Sequence, residues 1–296
     1  MKLPDEIVDC INNIEHKYSV SGQDLRGYLE GLLYAKSLTY WDYIHLETLL
    51  SIQQTKTNFL DEKIFIIYHQ ITELYFSLIL HELRDLCENQ YSDKSSWMRI
   101  LSRINRYFRL LIDSFEIMIK GLKKEEFLKF RMSLLPASGF QSVQYRMIEL
   151  YSTYLYRLVQ PQQRSELKES SLESQFNNLY WKFGNITLKS SEKTLTLQHF
   201  EAKYHQFLWE LAQKCTHANM AFLWDHLPPS LQTDEELIKE LQLYDAQANE
   251  GWRRRHFKAA AFHLHQEPNV IRATGGTNWQ EYLPPKKQHI RYFEWS

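Results

Sequence analysis

Apolar residues in this chain recur every three or four positions, stretch after stretch, and that period belongs to α-helices packed on one side. The longest such stretch, Asp61–Asn89, carries Ile64, Ile67, Ile71, Leu74, Leu78 and Leu86 as its expected core stripe. Trp97–Leu122 repeats the pattern with Ile100, Ile104, Phe108, Leu111, Phe115 and Met118. Further helices are expected over Leu3–Tyr18, Leu25–Leu38, Tyr40–Gln54, a short Glu125–Met132, Phe200–Ala218, Asp234–Gln247 and Glu250–His265. Pro136-Ala-Ser-Gly139 interrupts the series, and Ser138-x-x-Gln141 has the form of a capping box for a helix that starts there. Turn-rich architectures need Gly and Pro, and the chain has only nine and eight in 296 residues, about half the usual share. That disfavours all-β and most α/β folds. The expectation is an all-α protein: an N-terminal helical arm over residues 1–37, hinged at the polar break Ser19–Asp24, and one helical domain over residues 38–296.

Charge and cysteine content narrow the function classes. Formal net charge is −1, so there is no basic excess to hold nucleic acid. Cys10, Cys87 and Cys215 are far apart, with no Cys-x-x-Cys and no Cys-x-x-Cys-His. A disulfide framework, a zinc ribbon and covalent c-type haem attachment are excluded, and a reduced, cytoplasmic setting is expected. Met1–Cys10 lacks the apolar region of a signal peptide. The most apolar stretch, Ile64–Leu80, is broken by His69, Gln70, Thr72 and Glu73, so no membrane span is expected.

Four constellations have chemical potential. In Phe65-Ile-Ile-Tyr-His-Gln70, Phe65 and His69 share a helix face. His69 is either satisfied by a backbone carbonyl or lines a ligand pocket as a neutral imidazole. In Ser138-Gly-Phe-Gln-Ser-Val-Gln-Tyr-Arg146, Arg146 either pairs with Glu149 one turn on or holds a ligand carboxylate with its planar fork. In Trp252-Arg-Arg-Arg-His256, His256 opens an apolar helical stretch where a flat macrocycle can approach. The basic triplet is either a solvated face or a partner for haem propionates, and His263, on nearly the same face, rivals His256 as a ligand. In Ala273-Thr-Gly-Gly-Thr277, the paired glycines permit close approach of backbone to a ligand, or form a plain surface turn.

Taken together and in order, these segments resemble haem-dependent tryptophan 2,3-dioxygenase. The resemblance is carried by Tyr40-Trp-Asp-Tyr-Ile-His-Leu-Glu-Thr-Leu-Leu-Ser51, by Phe65-Ile-Ile-Tyr-His-Gln70 with His81-Glu-Leu83, by Pro136-Ala-Ser-Gly-Phe-Gln-Ser-Val-Gln-Tyr-Arg146, and by Trp252 to His256 followed by Thr274-Gly-Gly276. Residues 155–235 contribute little to it. The resemblance implies an all-α homotetramer that binds haem b without covalent attachment. It implies insertion of both atoms of O2 across the indole C2–C3 bond of L-tryptophan, giving N-formylkynurenine. His256 is then similar to the proximal haem ligand and His69 to the distal histidine that meets the indole N–H. Phe65 resembles the wall against the indole, Arg146 the clamp on the substrate carboxylate, and Thr274 the residue at the amino-acid end. Tyr40 and Tyr43 resemble tyrosines that a neighbouring subunit contributes, with the N-terminal arm lying across that neighbour.

The chain also departs from the family. Ala273 stands where the family has Gly, Thr277-Asn-Trp279 replaces a small-residue stretch, and Tyr75-Phe76 stands for Trp-Phe. The interval from His256 to Thr274 is longer than the family's, which keeps His263 as a rival. These departures admit two alternatives. One is a haem mono-oxygenase of the same fold, acting on a substituted tryptophan, an indole or a tyrosine derivative. The other is a non-catalytic haem-binding protein.

Overall fold

The computed structural model describes residues 3–20, 22, 24–134, 136–183, 193–264 and 290–293. The expected all-α class is realised. Among the described residues, β pairing is limited to one isolated bridge between Val159 and Leu179. Thr274 and the glycine pair beside it lie outside the described residues. Backbone contacts divide the chain into two units, Met1–Ile52 and Gln53–Ser296.

The first unit holds α1 (Asp5–Ser19), α2 (Leu25–Tyr34), α3 (Tyr40–Tyr43) and α4 (Leu46–Ser51). α1 and α2 meet through the stacked rings of Tyr18 and Tyr28, 3.8 Å apart. The helix expected over Tyr40–Gln54 is cut in two. His45 takes a left-handed conformation, φ 51°, and no right-handed helix continues through such a residue. No residue of these four helices is buried. Leu32, Leu33, Tyr34, Trp41 and Leu50 are exposed.

The second unit is built on two long helices, α5 (Asp61–Asn89) and α6 (Lys94–Gly121). α5 covers the span that its periodicity predicts. α6 starts ahead of Trp97 because Asp93 caps it, accepting from the Ser96 N–H. α7 (Lys124–Phe130) follows, then 3-10 turns at Arg131–Leu134 and Gly139–Gln141, then α8 (Val143–Ser152). The predicted capping box is half made. Gln141 Oε1 accepts from the Ser138 N–H at 3.3 Å, but the turn closes as a 3-10 helix, and α8 begins at Val143 under a Ser142 cap. Short helices α9 (Arg164–Leu167), α10 (Leu172–Asn177) and α11 (Tyr180–Phe183) lead to α12 (Leu195–Cys215). Then come α13 (Met220–Asp225), α14 (Pro229–Gln232), α15 (Glu235–Ala246) and α16 (Trp252–Leu264). α15 and α16, expected as separate helices, are joined by the π-helical turn Gln247–Gly251.

The core lies where α5, α6, α8, α12, α15 and α16 converge. The α6 stripe is buried as its period predicts, Ile100, Ile104, Phe108 and Leu111 completely. On α5 most of the expected face is wrong, and of its stripe only Leu86 is fully buried. Tyr68, Phe76, Ile79, Leu80, Leu83, Leu86 and Cys87 are buried, whereas Ile67, Leu74 and Leu78 are 39%, 55% and 44% exposed. α5 is apolar on two sides, so the period alone does not choose between them; packing against α6 and α8 does. α5 also has the length and mean hydropathy of a membrane span, with His69, Gln70, Thr72 and Glu73 in its middle.

Ile79 is completely buried at the centre of this packing. Ile79→Ala is expected to cost roughly 2–5 kcal/mol, the range for a truncated core aliphatic. Denaturant unfolding of the haem-free protein checks this, and a loss below about 1 kcal/mol would place the core on the other face of α5.

Candidate functional site

Two helices of the second unit bring the two candidate histidines together. α5 carries Phe65 and His69 one turn apart, and their rings lie 4.1 Å from each other. α16 carries Trp252 and His256 one turn apart, rings 5.2 Å from each other. Tyr68 and Phe115 fill the space between. Tyr68 touches His69 edge-on at 5.8 Å, Phe115 lies 5.8 Å from Tyr68, and His256 stacks on Phe115 at 6.1 Å. Phe127 and Phe130 close the side of Phe65.

His69 is half-buried, and its Nδ1 lies 2.8 Å from the Phe65 carbonyl oxygen. A carbonyl only accepts, so this contact assigns the hydrogen to Nδ1. Burial lowers the His69 pKa, against the opposing pull of the Phe65 carbonyl and Glu73. The neutral ring therefore presents Nε2 as an acceptor. Of the two readings the sequence leaves open for His69, the backbone partner is present, and it also prepares the imidazole for the second.

His256 forms no hydrogen bond among the described residues. Its pKa is held down at about 4 by burial first, then by repulsion from His69 and from Arg146. It is a neutral imidazole at ordinary pH. His263, the rival, is fully buried with Nε2 2.7 Å from the Met118 carbonyl oxygen and its ring against Phe127 at 4.7 Å. That nitrogen is committed to the backbone.

Arg146 is buried at 9% exposure, and the ion pair with Glu149 is formed, Nη1 to Oε2 at 2.9 Å. The pair belongs to a larger cluster. Arg253, the first of the basic triplet, is buried rather than solvated, and its Nη2 donates to Glu149 Oε1 at 2.8 Å. The Tyr180 hydroxyl donates to the same Oε1 at 2.5 Å. It accepts from Arg146 Nη1 at 2.9 Å and from Arg253 Nη2. Arg253 Nε reaches the Tyr145 hydroxyl at 3.1 Å. Tyr145, Tyr180 and Trp181 also wall the Arg146 guanidinium, ring centroids 5.3–5.8 Å away. Burial works against the charge on Arg146, but Tyr180 and Glu149 outweigh it and hold the guanidinium above its usual range. The other two arginines of the triplet sit at the surface side, Arg254 paired with Glu250 and Arg255 with Glu116.

Tyr40 and Tyr43 belong to the first unit and are 70% and 72% exposed. Thr274 falls outside the described residues. Sequence reasoning does not single out Phe115 or Tyr180, and it groups Arg253 with a basic run. Only Arg253 carries a usable signal, since it precedes His256 by one helical turn and shares its side of α16.

The donor chemistry fits haem. Among the described residues no group of three or more His, Cys, Asp or Glu stands ready to hold a bare metal ion. A haem held at His256 would supply the iron's other donors itself. The imidazole there is neutral, free of hydrogen bonds to described residues, and set among the flat faces of Phe115 and Trp252. A cavity of about 350 Å³ lies elsewhere, lined by Tyr154, Tyr156, Lys168 and Cys215 among others. None of the candidate residues borders it.

Comparison with known proteins gives a consistent picture. The family model for tryptophan 2,3-dioxygenase matches residues 31–216. That range includes Phe65, His69 and Arg146 and stops before His256. Relatives named tryptophan 2,3-dioxygenase include one from Ruegeria sp. (strain TM1040), 38% identical over 117 residues, which are 39% of this chain and 42% of that protein. One from Bacillus anthracis is 41% identical over 117 residues, with the same coverage. One from Rattus norvegicus is 33% identical over 177 residues, 56% of this chain and 41% of that protein. The chain thus spans less than half the length of the curated relatives it matches.

Glu149 is the carboxylate that two buried guanidiniums share. Glu149→Gln leaves both charges uncompensated in the core and is expected to destabilise the protein by about 3–5 kcal/mol. Thermal or denaturant unfolding measures it; a change within about 0.5 kcal/mol, typical of a surface site, would mean the cluster is solvated.

Proposed function

This chain belongs to the tryptophan 2,3-dioxygenase family, and we propose that it is a haem-dependent enzyme that adds both atoms of O2 across the indole C2–C3 bond of L-tryptophan. The product is N-formylkynurenine. The observation that carries the reading is the meeting of a neutral His256, an acceptor nitrogen on His69 and a charged Arg146 within one shell of aromatic rings. His256 would hold a non-covalent haem b. When bound, that group supplies the iron and the chemistry with O2.

The chain's own residues supply position. His69 Nε2 takes the indole N–H, since the Phe65 carbonyl has fixed its hydrogen on Nδ1. Phe65 packs against the indole face. Arg146 takes the carboxylate, for which a planar fork is better suited than a lysine. By the resemblance, Thr274 would meet the amino-acid end of the substrate. A ring held at one edge and a carboxylate held at the other leave the reacting carbons little freedom, and such pre-orientation is worth up to roughly 7–11 kcal/mol of barrier. A site that hydrogen-bonds the indole N–H also rejects analogues that lack it.

Two features support self-association, with Tyr40 and Tyr43 reaching a neighbour's pocket and the N-terminal arm lying across that neighbour. The α5 stripe of Ile67, Leu74 and Leu78 is exposed, and so are the apolar residues of the first unit. A homotetramer would cover both, as clustered exposed apolar residues can mark an interface. Cys87 and Cys215 are buried free thiols, in keeping with a reduced, cytoplasmic setting.

The direct test is an aerobic assay of the reduced, haem-loaded protein with L-tryptophan, read by mass spectrometry. Gain of two oxygen atoms is expected. Gain of one would assign a mono-oxygenase of the same fold, and ligand binding without turnover a haem-binding protein. A second test concerns the iron ligand. His256→Ala is expected to lose haem, seen as loss of the Soret band, while His263→Ala keeps it. The reverse result would transfer the ligand role to His263.

A further inference from the structure

The cluster behind Arg146 is more elaborate than an ion pair requires. Glu149 uses both of its oxygens, one on each guanidinium. A single hydroxyl, Tyr180, touches Glu149, Arg146 and Arg253 together. An arginine side chain has many rotamers, and its fork serves a carboxylate bidentately only when its plane is fixed. Here Arg146 Nη1 is held by two acceptors at 2.9 Å, and aromatic rings of Tyr145 and Trp181 bound the guanidinium.

The placement along the chain adds a second constraint. Arg146 and Glu149 stand one turn apart on α8; Arg253 and His256 stand one turn apart on α16. The bridge from Glu149 to Arg253 therefore ties the helix that carries the carboxylate clamp to the helix that carries the iron ligand. Tyr180, from the short α11, closes the bridge from a third side.

We propose that Tyr180, acting with Arg253 and Glu149, is a positioning residue that orients the Arg146 guanidinium for a carboxylate. Discrimination between carboxylated and decarboxylated indoles is then set one layer behind the residue that touches the ligand. The inference rests on the assignment of Arg146 as the carboxylate clamp and deepens it. Tyr180 makes no contact with the ligand itself, so its loss changes the orientation of the fork and leaves the indole half of the pocket alone.

The test compares L-tryptophan with tryptamine, which has the same indole and no carboxylate, in equilibrium titrations of the haem-loaded protein. In Tyr180→Phe the Kd for L-tryptophan is expected to rise about tenfold, as for loss of one hydrogen bond to a charged group. The Kd for tryptamine should stay within about twofold, well inside the scatter of a contact that is not made. A merely structural role would move both ligands together, and that result overturns the proposal, as does an unchanged pair. Should Tyr180→Phe fail to take up haem, Arg253→Lys is read by the same ratio, since it keeps the charge and loses the fork. Failure of the underlying reading looks different. A wild-type protein that binds L-tryptophan no tighter than tryptamine removes the carboxylate role from Arg146 itself.

Discussion

A carboxylate buried at 1% exposure between two guanidiniums is the constraint around which the second unit is arranged. Removing three charges from water costs several kcal/mol for each, and mutual attraction offsets this only when the remaining donors and acceptors are filled. Tyr180 and Tyr145 do much of the filling. The cluster thus demands that α8, α11 and α16 arrive at one point in one orientation. Hydrophobic packing among the long helices tolerates small slides; this polar contact does not. It locates His256, one turn past Arg253, relative to Arg146.

The neighbouring imidazoles are kept neutral chiefly by burial. Burial lowers the His256 pKa most, and repulsion from His69 and then from Arg146 adds to it. A site that keeps a guanidinium cationic next to an imidazole keeps the imidazole neutral, which is the form that binds iron. His69 stays neutral by burial, and its Phe65 partner decides which nitrogen is the acceptor. One positive cluster therefore does two jobs: it attracts an anion, and through Arg146 it adds to the burial that holds His256 unprotonated. His263 shows the alternative fate of a histidine on the same helix. Its Nε2 is spent on the Met118 carbonyl, and it serves packing between α16 and α6.

Much of this was legible in the residues. The period in α6 names its buried face, and the apolar run of α5 gives its span, Asp61–Asn89. Arg146 with Glu149, Phe65 with His69 and Trp252 with His256 all announce themselves by helical spacing. Spacing fails where a helix is apolar on two sides, so Ile67, Leu74 and Leu78 of α5 look like core and stand exposed. It fails at His45, where a backbone conformation and not a side-chain pattern ends a helix. It fails for Tyr180, which reaches the cluster from a distant segment by tertiary packing that has no local signature. The pairing of Arg146 with Glu149 was readable as an alternative to a ligand role, and the structure forms that pair through Nη1.

Tyr180 also bears on how a member of this family can diverge. The groups that would touch haem and substrate sit on α5, α8 and α16, the helices that carry the recognisable motifs. The group that holds the clamp in orientation sits on α11, in the stretch with no motif of its own. A change in such a stretch leaves every contacting residue in place and still alters the angle at which Arg146 meets an anion. Binding energy from a carboxylate is useful to an enzyme only in so far as it places the reacting carbons correctly, so a small rotation of the fork shifts which indole acid is placed well. On the proposal made for Tyr180, selectivity for the carboxylate would then depend on how α11 packs against α8 as well as on which residues line the pocket.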